Sequence, residues 1–218
     1  MALARLVPLL ALGTILVQAC GGAVGKDAAA PGVSPSVLDV AGPPDQLSAE
    51  ARALRAKGPS GLTEALQRLD QLQASDPRRA AALRLVDEVA QQRDAETARL
   101  YWYTDIEEAK KASAKSKKPI LSLRMLGSLT DEFSCANSRF FRAVLYPDSR
   151  VRRALEENYV LHWSSERPAP LITIDFRDGR KVTRTITGNS IHYVLGEAGE
   201  PLDALPGLVS QKAFADWL

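Results

Sequence analysis

The chain contains only two cysteines in 218 residues, and their surroundings predict unrelated fates. Cys20 ends a short apolar run, whereas Cys135 stands alone in the sequence Cys-Ala-Asn-Ser at 135–138. If Cys20 is modified, a single thiol remains and the chain cannot form an intramolecular disulfide. The fold must then be stabilised by buried apolar side chains, and the chain is long enough for one domain of about 100 to 150 residues.

Residues 1–19 resemble a bacterial secretory signal peptide. A weakly basic start ends at Arg5, an apolar stretch runs from 6 to 17, and Gln-Ala at 18–19 leads to Cys20. The stretch is shorter than the roughly 20 apolar residues that span a bilayer. The pattern also resembles the lipobox of bacterial lipoproteins, which implies cleavage before Cys20 and attachment of lipid to its sulfur. An ordinary signal peptide and an uncleaved tether are the alternatives.

The location and the charge of the chain limit its expected partners. The residue after Cys20 is Gly21, whereas an aspartate at that position would resemble an inner-membrane retention signal. We therefore expect a lipid anchor in the outer membrane, facing the periplasm of the cell envelope. A formal net charge of +2 with both signs interspersed does not attract nucleic acid, and we expect no such partner. The lysines of 110–118 favour a solvated helix end over contact with anionic headgroups.

Composition and periodicity divide the rest of the chain into three parts. Residues 20–46 comprise the lipidated cysteine and a flexible linker rich in Gly, Ala, Pro and Ser. A small helical region is expected over 47–102 and an α/β domain over 103–218. The last predicted helix, 211–218, stops at the final residue, which leaves open whether the domain is complete there.

The helical region is predicted to contain three helices. A short helix begins at Ser48, and a second over 60–74 carries four leucines on one face at steps of three and four. A third helix is expected from Asp76 to about Leu100, with Pro77 at its first position.

Helices and strands are expected to alternate in the remainder. Cys135 is predicted to open a helix that Pro147 interrupts, and Asp-Gly at 178–179 predicts a hairpin turn. The other predicted elements are a polar helix over 105–117, strands over 120–126 and 159–163, a resumed helix over 149–157, hairpin strands over 171–176 and 181–187, and a strand pair over 190–195 and 202–205.

This order of elements resembles that of the thioredoxin superfamily over Ala109 to Leu218. The resemblance implies a thioredoxin-like mixed sheet flanked by helices, preceded by the small helical region. Its motifs are Lys-Lys-Pro-Ile-Leu at 117–121, Cys-x-x-Ser at 135–138 and the segment 201–207 before the terminal helix. More closely, the segments 133–141, 185–195 and 203–208 resemble a group of bacterial thioredoxin-like lipoproteins with no assigned activity.

The resemblance implies thiol chemistry at Cys135. In that superfamily the first cysteine of the motif lies at a helix N-terminus, where free N–H groups and the helix dipole stabilise a thiolate. Arg139, one turn along, would help. Ser138 stands where the second cysteine normally resolves a mixed disulfide, and it can only donate a hydrogen bond. The chemistry left is monothiol exchange with an external thiol or disulfide.

A second departure from the superfamily concerns its cis-proline, which normally lies opposite the motif. Ser190, preceded by Gly188 and Asn189, stands at the matching position, and a cis bond before a residue other than proline costs about 2.5 to 4 kcal/mol. His192, two residues on, would be a base if it faced Cys135, but a hydrogen-bonded core histidine is the favoured interpretation. His162 is interpreted in the same way.

Three hypotheses for function remain. The first is an anchored exchange protein acting through Cys135 on an unidentified protein or small-molecule partner. The second is a thioredoxin-like binding or assembly module in which Cys135 is a small buried residue. A thiol peroxidase or redox sensor ranks third because no resolving cysteine is evident. One thiol and two dispersed histidines do not predict a zinc site, no phosphate-binding glycine motif occurs, and we expect neither a metal nor a cofactor.

Overall fold

A computed structural model describes residues 47–218, so the predicted signal peptide, Cys20 and the linker lie outside the described residues. The α-helices are α1 (Ala49–Arg55), α2 (Pro59–Asp70), α3 (Arg79–Ala90), α4 (Ala95–Ala98), α5 (Ile106–Ser116), α6 (Ala136–Phe140), α7 (Ser149–Asn158) and α8 (Gln211–Trp217). The strands are β1 (Ile120–Leu126), β2 (Val160–Arg167), β3 (Leu171–Asp175), β4 (Lys181–Thr185), β5 (Ser190–Leu195) and β6 (Pro201–Pro206). Between residues 47 and 218, no helix is both long and apolar enough to cross a bilayer.

The helices α1, α2 and α3 share a hydrophobic core of their own. The hydroxyl of Ser48 accepts a hydrogen bond from Ala51 N and caps α1, which confirms the predicted helix start. The leucines at 62, 66 and 69 are buried on one face of α2, as their spacing predicts. This small core packs α2 on α1 and α3.

The prediction of one long third helix is wrong. Its chain turns away at Gln91, which has a left-handed backbone with φ of 55°, and again at Asp94, with φ of 58°. The carboxylate of Asp87 accepts a hydrogen bond from Ala95 N at 2.8 Å and so stabilises the turn that starts α4. A side chain reaching forward along the chain therefore stabilises the turn that follows α3, although the apolar spacing continues.

Four strands form a mixed sheet in the order β2-β1-β5-β6, with helices packed against it. β1 runs parallel to β2 and antiparallel to β5, and its bounds are those predicted. Because β1 has a neighbour on both sides and is buried on both faces except at Arg124, its sequence is almost continuously apolar. The prediction of a mixed sheet flanked by helices is confirmed.

The helix after β1 is interrupted at the predicted position. Cys135 is the N-cap of α6, and a π-helical turn, Phe141–Leu145, follows it. The carboxylate of Asp148 then caps α7 by accepting hydrogen bonds from Arg150 N and Val151 N.

β3 and β4 form a separate two-stranded hairpin instead of joining the main sheet. Gly179, with φ of 90°, supplies the left-handed backbone that its turn requires. Every residue of β3 is exposed, and so is Phe176 beyond it. The hairpin therefore leaves apolar side chains in contact with solvent.

Candidate functional site around Cys135

The side chain of Cys135 is fully buried at the start of α6. Its backbone, with φ of −61° and ψ of 163°, is extended in the manner of an N-cap residue. The sulfur accepts a hydrogen bond from Ser138 N at 3.4 Å, so it satisfies one of the free amides of the helix end. None of the side chain is exposed, so an external disulfide reaches the sulfur only if the surrounding structure opens.

Ser190 lies against the Cys-x-x-Ser segment. The side-chain amide of Asn137 donates a hydrogen bond to Ser190 Oγ at 2.8 Å, and both residues are buried. A Cβ on Gly188 would approach Asn137 Oδ1 to 2.4 Å, so the chain entering β5 passes close to the motif. The middle of the motif thus contacts β5 directly.

Arg139, which was predicted to stabilise a thiolate at Cys135, hydrogen bonds to the loop before that cysteine. Its guanidinium donates to the carbonyl of Ser134 at 2.9 Å and to Thr185 Oγ1 at 2.7 Å. The hydroxyl of Thr185 in turn donates to the same Ser134 carbonyl at 3.0 Å. Arg139 therefore holds the end of β4 onto the loop that carries Cys135, and this contact is structural.

Ser138 is also fully buried, and its two polar groups act separately. The backbone amide bonds to Cys135 Sγ, while the hydroxyl donates to the carbonyl of Ser128 at 3.4 Å. Asn189 is exposed, and its carbonyl accepts a hydrogen bond from Leu126 N at 3.1 Å. Asn189 and Ser190 both line a cavity of about 330 Å³ at the end of β1.

His192 lies in the core among aromatic side chains. Its Nε2 is 2.8 Å from the hydroxyl of Tyr146. Its ring is edge-on to the rings of Phe141 and Phe214, with ring centroids 4.8 and 4.9 Å apart. Complete burial lowers the pKa of His192 to about 3, because the apolar surroundings disfavour the charged imidazolium. Its side-chain hydrogen bond within residues 47–218 is to Tyr146, which agrees with the core interpretation.

His162 occupies a similar position on β2. Its Nδ1 is 2.8 Å from the hydroxyl of Ser122 on the neighbouring strand β1. Desolvation by burial lowers the pKa of His162 to about 4. Both histidines are therefore neutral near pH 7 and have partners in the core.

Sequence reasoning missed three of the residues that build this site. Asn137 lies inside the Cys-x-x-Ser motif, and a polar side chain beside a helix start could have indicated a role in the site. Thr185 and Tyr146 carry no such indication, because each becomes relevant only through a contact with a residue distant in the chain. In the part of the chain that the structure describes, no group of three or more His, Cys, Asp or Glu side chains is placed to hold a metal ion.

Comparisons with known proteins found no significant match. No family model matches the chain, and neither a curated protein nor a solved structure shows significant similarity to it.

Proposed function

We propose that this chain is a lipid-anchored, thioredoxin-like binding or assembly module of the cell envelope, in which Cys135 is a structural residue. The observation that carries this proposal is the complete burial of Cys135. The thiolate is the reactive form in exchange, and a sulfur held within the protein cannot approach a disulfide in solution. Burial of Ser138 and the pairing of His192 with Tyr146 add support, since neither residue is free to assist a reaction at the sulfur.

Two features support the thioredoxin-like part of the proposal. The elements after Tyr103 follow the predicted order, with the cysteine helix directly after the central strand β1. Ser190, aligned with the cis-proline position, hydrogen bonds to the Cys-x-x-Ser segment. Both are expected if the resemblance in sequence reflects a shared architecture.

The hairpin supports a binding role. Leu171, Ile172, Ile174 and Phe176 are each at least 40% exposed, although burial of such side chains is what normally stabilises a sheet. A two-stranded hairpin is only marginally stable on its own, and exposed apolar patches often mark surfaces that contact other proteins. An exposed apolar hairpin is therefore typical of a surface that contacts another protein.

Monothiol exchange is the second candidate, favoured by the position of Cys135 as the N-cap of α6. A sulfur at this position lies beside free amides, and its bond from Ser138 N would stabilise a thiolate. Exchange would require local opening of the structure to expose the sulfur. Reactivity of the native thiol therefore distinguishes the two candidates.

The labelling experiment uses the full chain carrying C20S, so that Cys135 is the single thiol. With oxidised glutathione or N-ethylmaleimide, we expect mass spectrometry to find no adduct on the native chain and one adduct after denaturation. Native labelling should be at least about 100-fold slower than that of free cysteine, because it requires opening of a buried segment.

The matched control moves the thiol by one position. Ala136 is exposed on the same helix, so the C20S/C135S/A136C variant should react in the native state. A rapid glutathione adduct on native Cys135, released by added thiol, would replace the binding-module proposal by monothiol exchange.

The anchor is tested separately through Cys20. Expressed with its signal in a Gram-negative host, the chain should incorporate labelled fatty acid and accumulate as a precursor when globomycin inhibits lipoprotein signal peptidase. C20S should abolish both effects because acylation needs that sulfur, whereas C135S should abolish neither. A soluble, unlabelled wild-type protein in the periplasm would refute the proposed anchor.

A further inference from the structure

β3 is the strand of the hairpin that is exposed along its whole length. All of its residues, Leu171–Asp175, are exposed, whereas three of the five residues of β4 are half-buried. β4 is also attached to the body of the protein, because Thr185 Oγ1 contacts the guanidinium of Arg139 and the carbonyl of Ser134. The edge of the hairpin that an incoming strand can reach is therefore that of β3.

The hydrogen-bonding pattern of the hairpin leaves backbone groups of β3 available along that edge. Phe176 N donates to Arg180 O at 3.1 Å, and directly opposed residues of an antiparallel pair alternate between hydrogen-bonded and non-hydrogen-bonded pairs. Thr173 and Thr183 consequently form a non-hydrogen-bonded pair, which agrees with the 3.0 Å between their hydroxyls. The residues whose N–H and C=O groups point away from β4 are Leu171, Thr173 and Asp175. Between residues 47 and 218, β3 pairs with β4 alone, so another strand can pair with these groups.

The free edge of β3 lacks the features that normally protect an edge strand from association. Protected edges carry charged side chains, proline or a bulge, but β3 is Leu-Ile-Thr-Ile-Asp, with its single charge in the last position. β4 contains Lys181 and Arg184, and the guanidinium of Arg184 donates to the carbonyl of Thr183 at 2.8 Å. The contrast between the two strands indicates that the edge of β3 is a pairing surface.

The sequence of β3 is complementary to itself in an antiparallel arrangement. When Thr173 lies opposite Thr173 of a second copy, the outward-pointing residues of both strands match, and each opposed pair exchanges two hydrogen bonds. Ile172 then lies opposite Ile174, so these exposed apolar side chains cover each other. Asp175 lies opposite Leu171, so no like charges face each other across the two strands.

We infer that β3 is a dimerisation edge at which two copies of this chain pair as antiparallel strands. The two hairpins join into one four-stranded sheet, with a two-fold axis at Thr173. A two-stranded hairpin is only marginally stable on its own, whereas a sheet of three or more strands with an apolar face is stable. The inference rests on the proposed binding or assembly function, and it names a second copy as the partner.

Cysteine cross-linking tests both the edge and its register. In the full chain carrying C20S/C135S/T173C, mild oxidation should join two copies by a disulfide, because the Cα atoms of a hydrogen-bonded pair are about 5.5 Å apart. The matched control is C20S/C135S/T183C, whose thiols on β4 would be three strand spacings, or about 14 Å, apart. The control should therefore give at least about tenfold less cross-linked dimer. Association through the apolar residues 6–17 would cross-link both variants alike.

A proline tests the backbone contacts without a disulfide. T173P in the C20S chain removes an N–H that points away from β4, so the hairpin keeps its own hydrogen bonds while the dimer loses one from each copy. Analytical ultracentrifugation should show association weakened about tenfold or more relative to the C20S parent. The matched control T183P removes an N–H from the edge of β4 and should associate like the parent.

Each other outcome overturns the inference. A monomeric parent at every concentration, or equal cross-linking of T173C and T183C, would mean that β3 does not pair with a second copy. A dimer that T173P leaves intact would place the interface elsewhere. Labelling of Cys135 and cross-linking at position 173 monitor different residues. An unreactive thiol in a monomeric protein would therefore reject the dimer and leave the proposed binding function standing.

Discussion

Replacing Gly61 with alanine is expected to lower the free energy of unfolding by about 3 kcal/mol or more. Gly61 lies in α2 where this helix crosses α1. A Cβ added there would lie 1.9 Å from the carbonyl oxygen of Leu54 and 2.6 Å from its carbonyl carbon. Both atoms belong to the backbone of α1, so no side-chain rotation relieves the overlap and the two helices must separate.

Helix propensity alone would predict the opposite sign for this substitution. Alanine is favoured over glycine within a helix by about 1 kcal/mol, and it also restricts the unfolded chain. The steric cost must exceed this gain because the core of α1, α2 and α3 depends on their contact. The close approach of two backbones is therefore what requires glycine at position 61.

Urea denaturation or calorimetry measures the effect. The melting temperature should fall by about 10 °C in a chain of this size. Gln67→Ala is the matched control, because Gln67 is exposed on the same helix and the change also raises helix propensity. It should stay within about 0.5 kcal/mol of the parent. A stabilised Gly61→Ala variant would contradict the close approach of α1 and α2.

The second large effect is a loss of stability on acidification. Burial holds the pKa of His192 at about 3 and that of His162 at about 4, below the ordinary value of 6.5. The unfolded chain therefore takes up protons near pH 6.5 that the folded chain refuses. The stability that each neutral histidine contributes above pH 6.5 is lost as the pH falls towards 4, by up to about 1.4 kcal/mol per pH unit.

Asp87 opposes this trend. Burial raises the pKa of its carboxyl from 3.8 to about 6. Hydrogen bonds from backbone amides lower this pKa, but their effect is smaller than that of burial. Between pH 6 and 4 the folded chain therefore holds a proton that the unfolded chain releases, which stabilises the fold on acidification. For the two histidines and Asp87 together, the slope should be that of one proton, or about 3 kcal/mol lost between pH 6.5 and 4.

Two variants with opposite expected effects test the assignment. In H192Q, urea midpoints should depend less on pH between 6.5 and 4, although the changed contact with Tyr146 lowers stability at every pH. In D87N the opposing proton disappears, so the loss of stability on acidification should become steeper. Profiles parallel to the parent in both variants would show that these buried groups do not govern acid stability.

Local patterns were sufficient to predict much of the α/β part. The bounds of β1 and β5 follow from short apolar runs, and the hairpin follows from Asp178-Gly179. The helix start at Cys135 was predicted from the same kind of local pattern. These features depend on residues close together in the chain, where strand alternation, caps and turn geometry act. The prediction of a long third helix was wrong because the side chain of Asp87 reaches forward to Ala95 N and stabilises the turn that follows α3.

The sequence by itself determined the order of the elements, the apolar faces of the helices and the single thiol available within 47–218. Only the tertiary structure decided that this thiol is buried, that His192 pairs with Tyr146 and that Asn137 meets Ser190 across 53 positions of the chain. Contacts of this kind arise from the packing of elements distant in sequence, and no local period or cap specifies which side chains will meet.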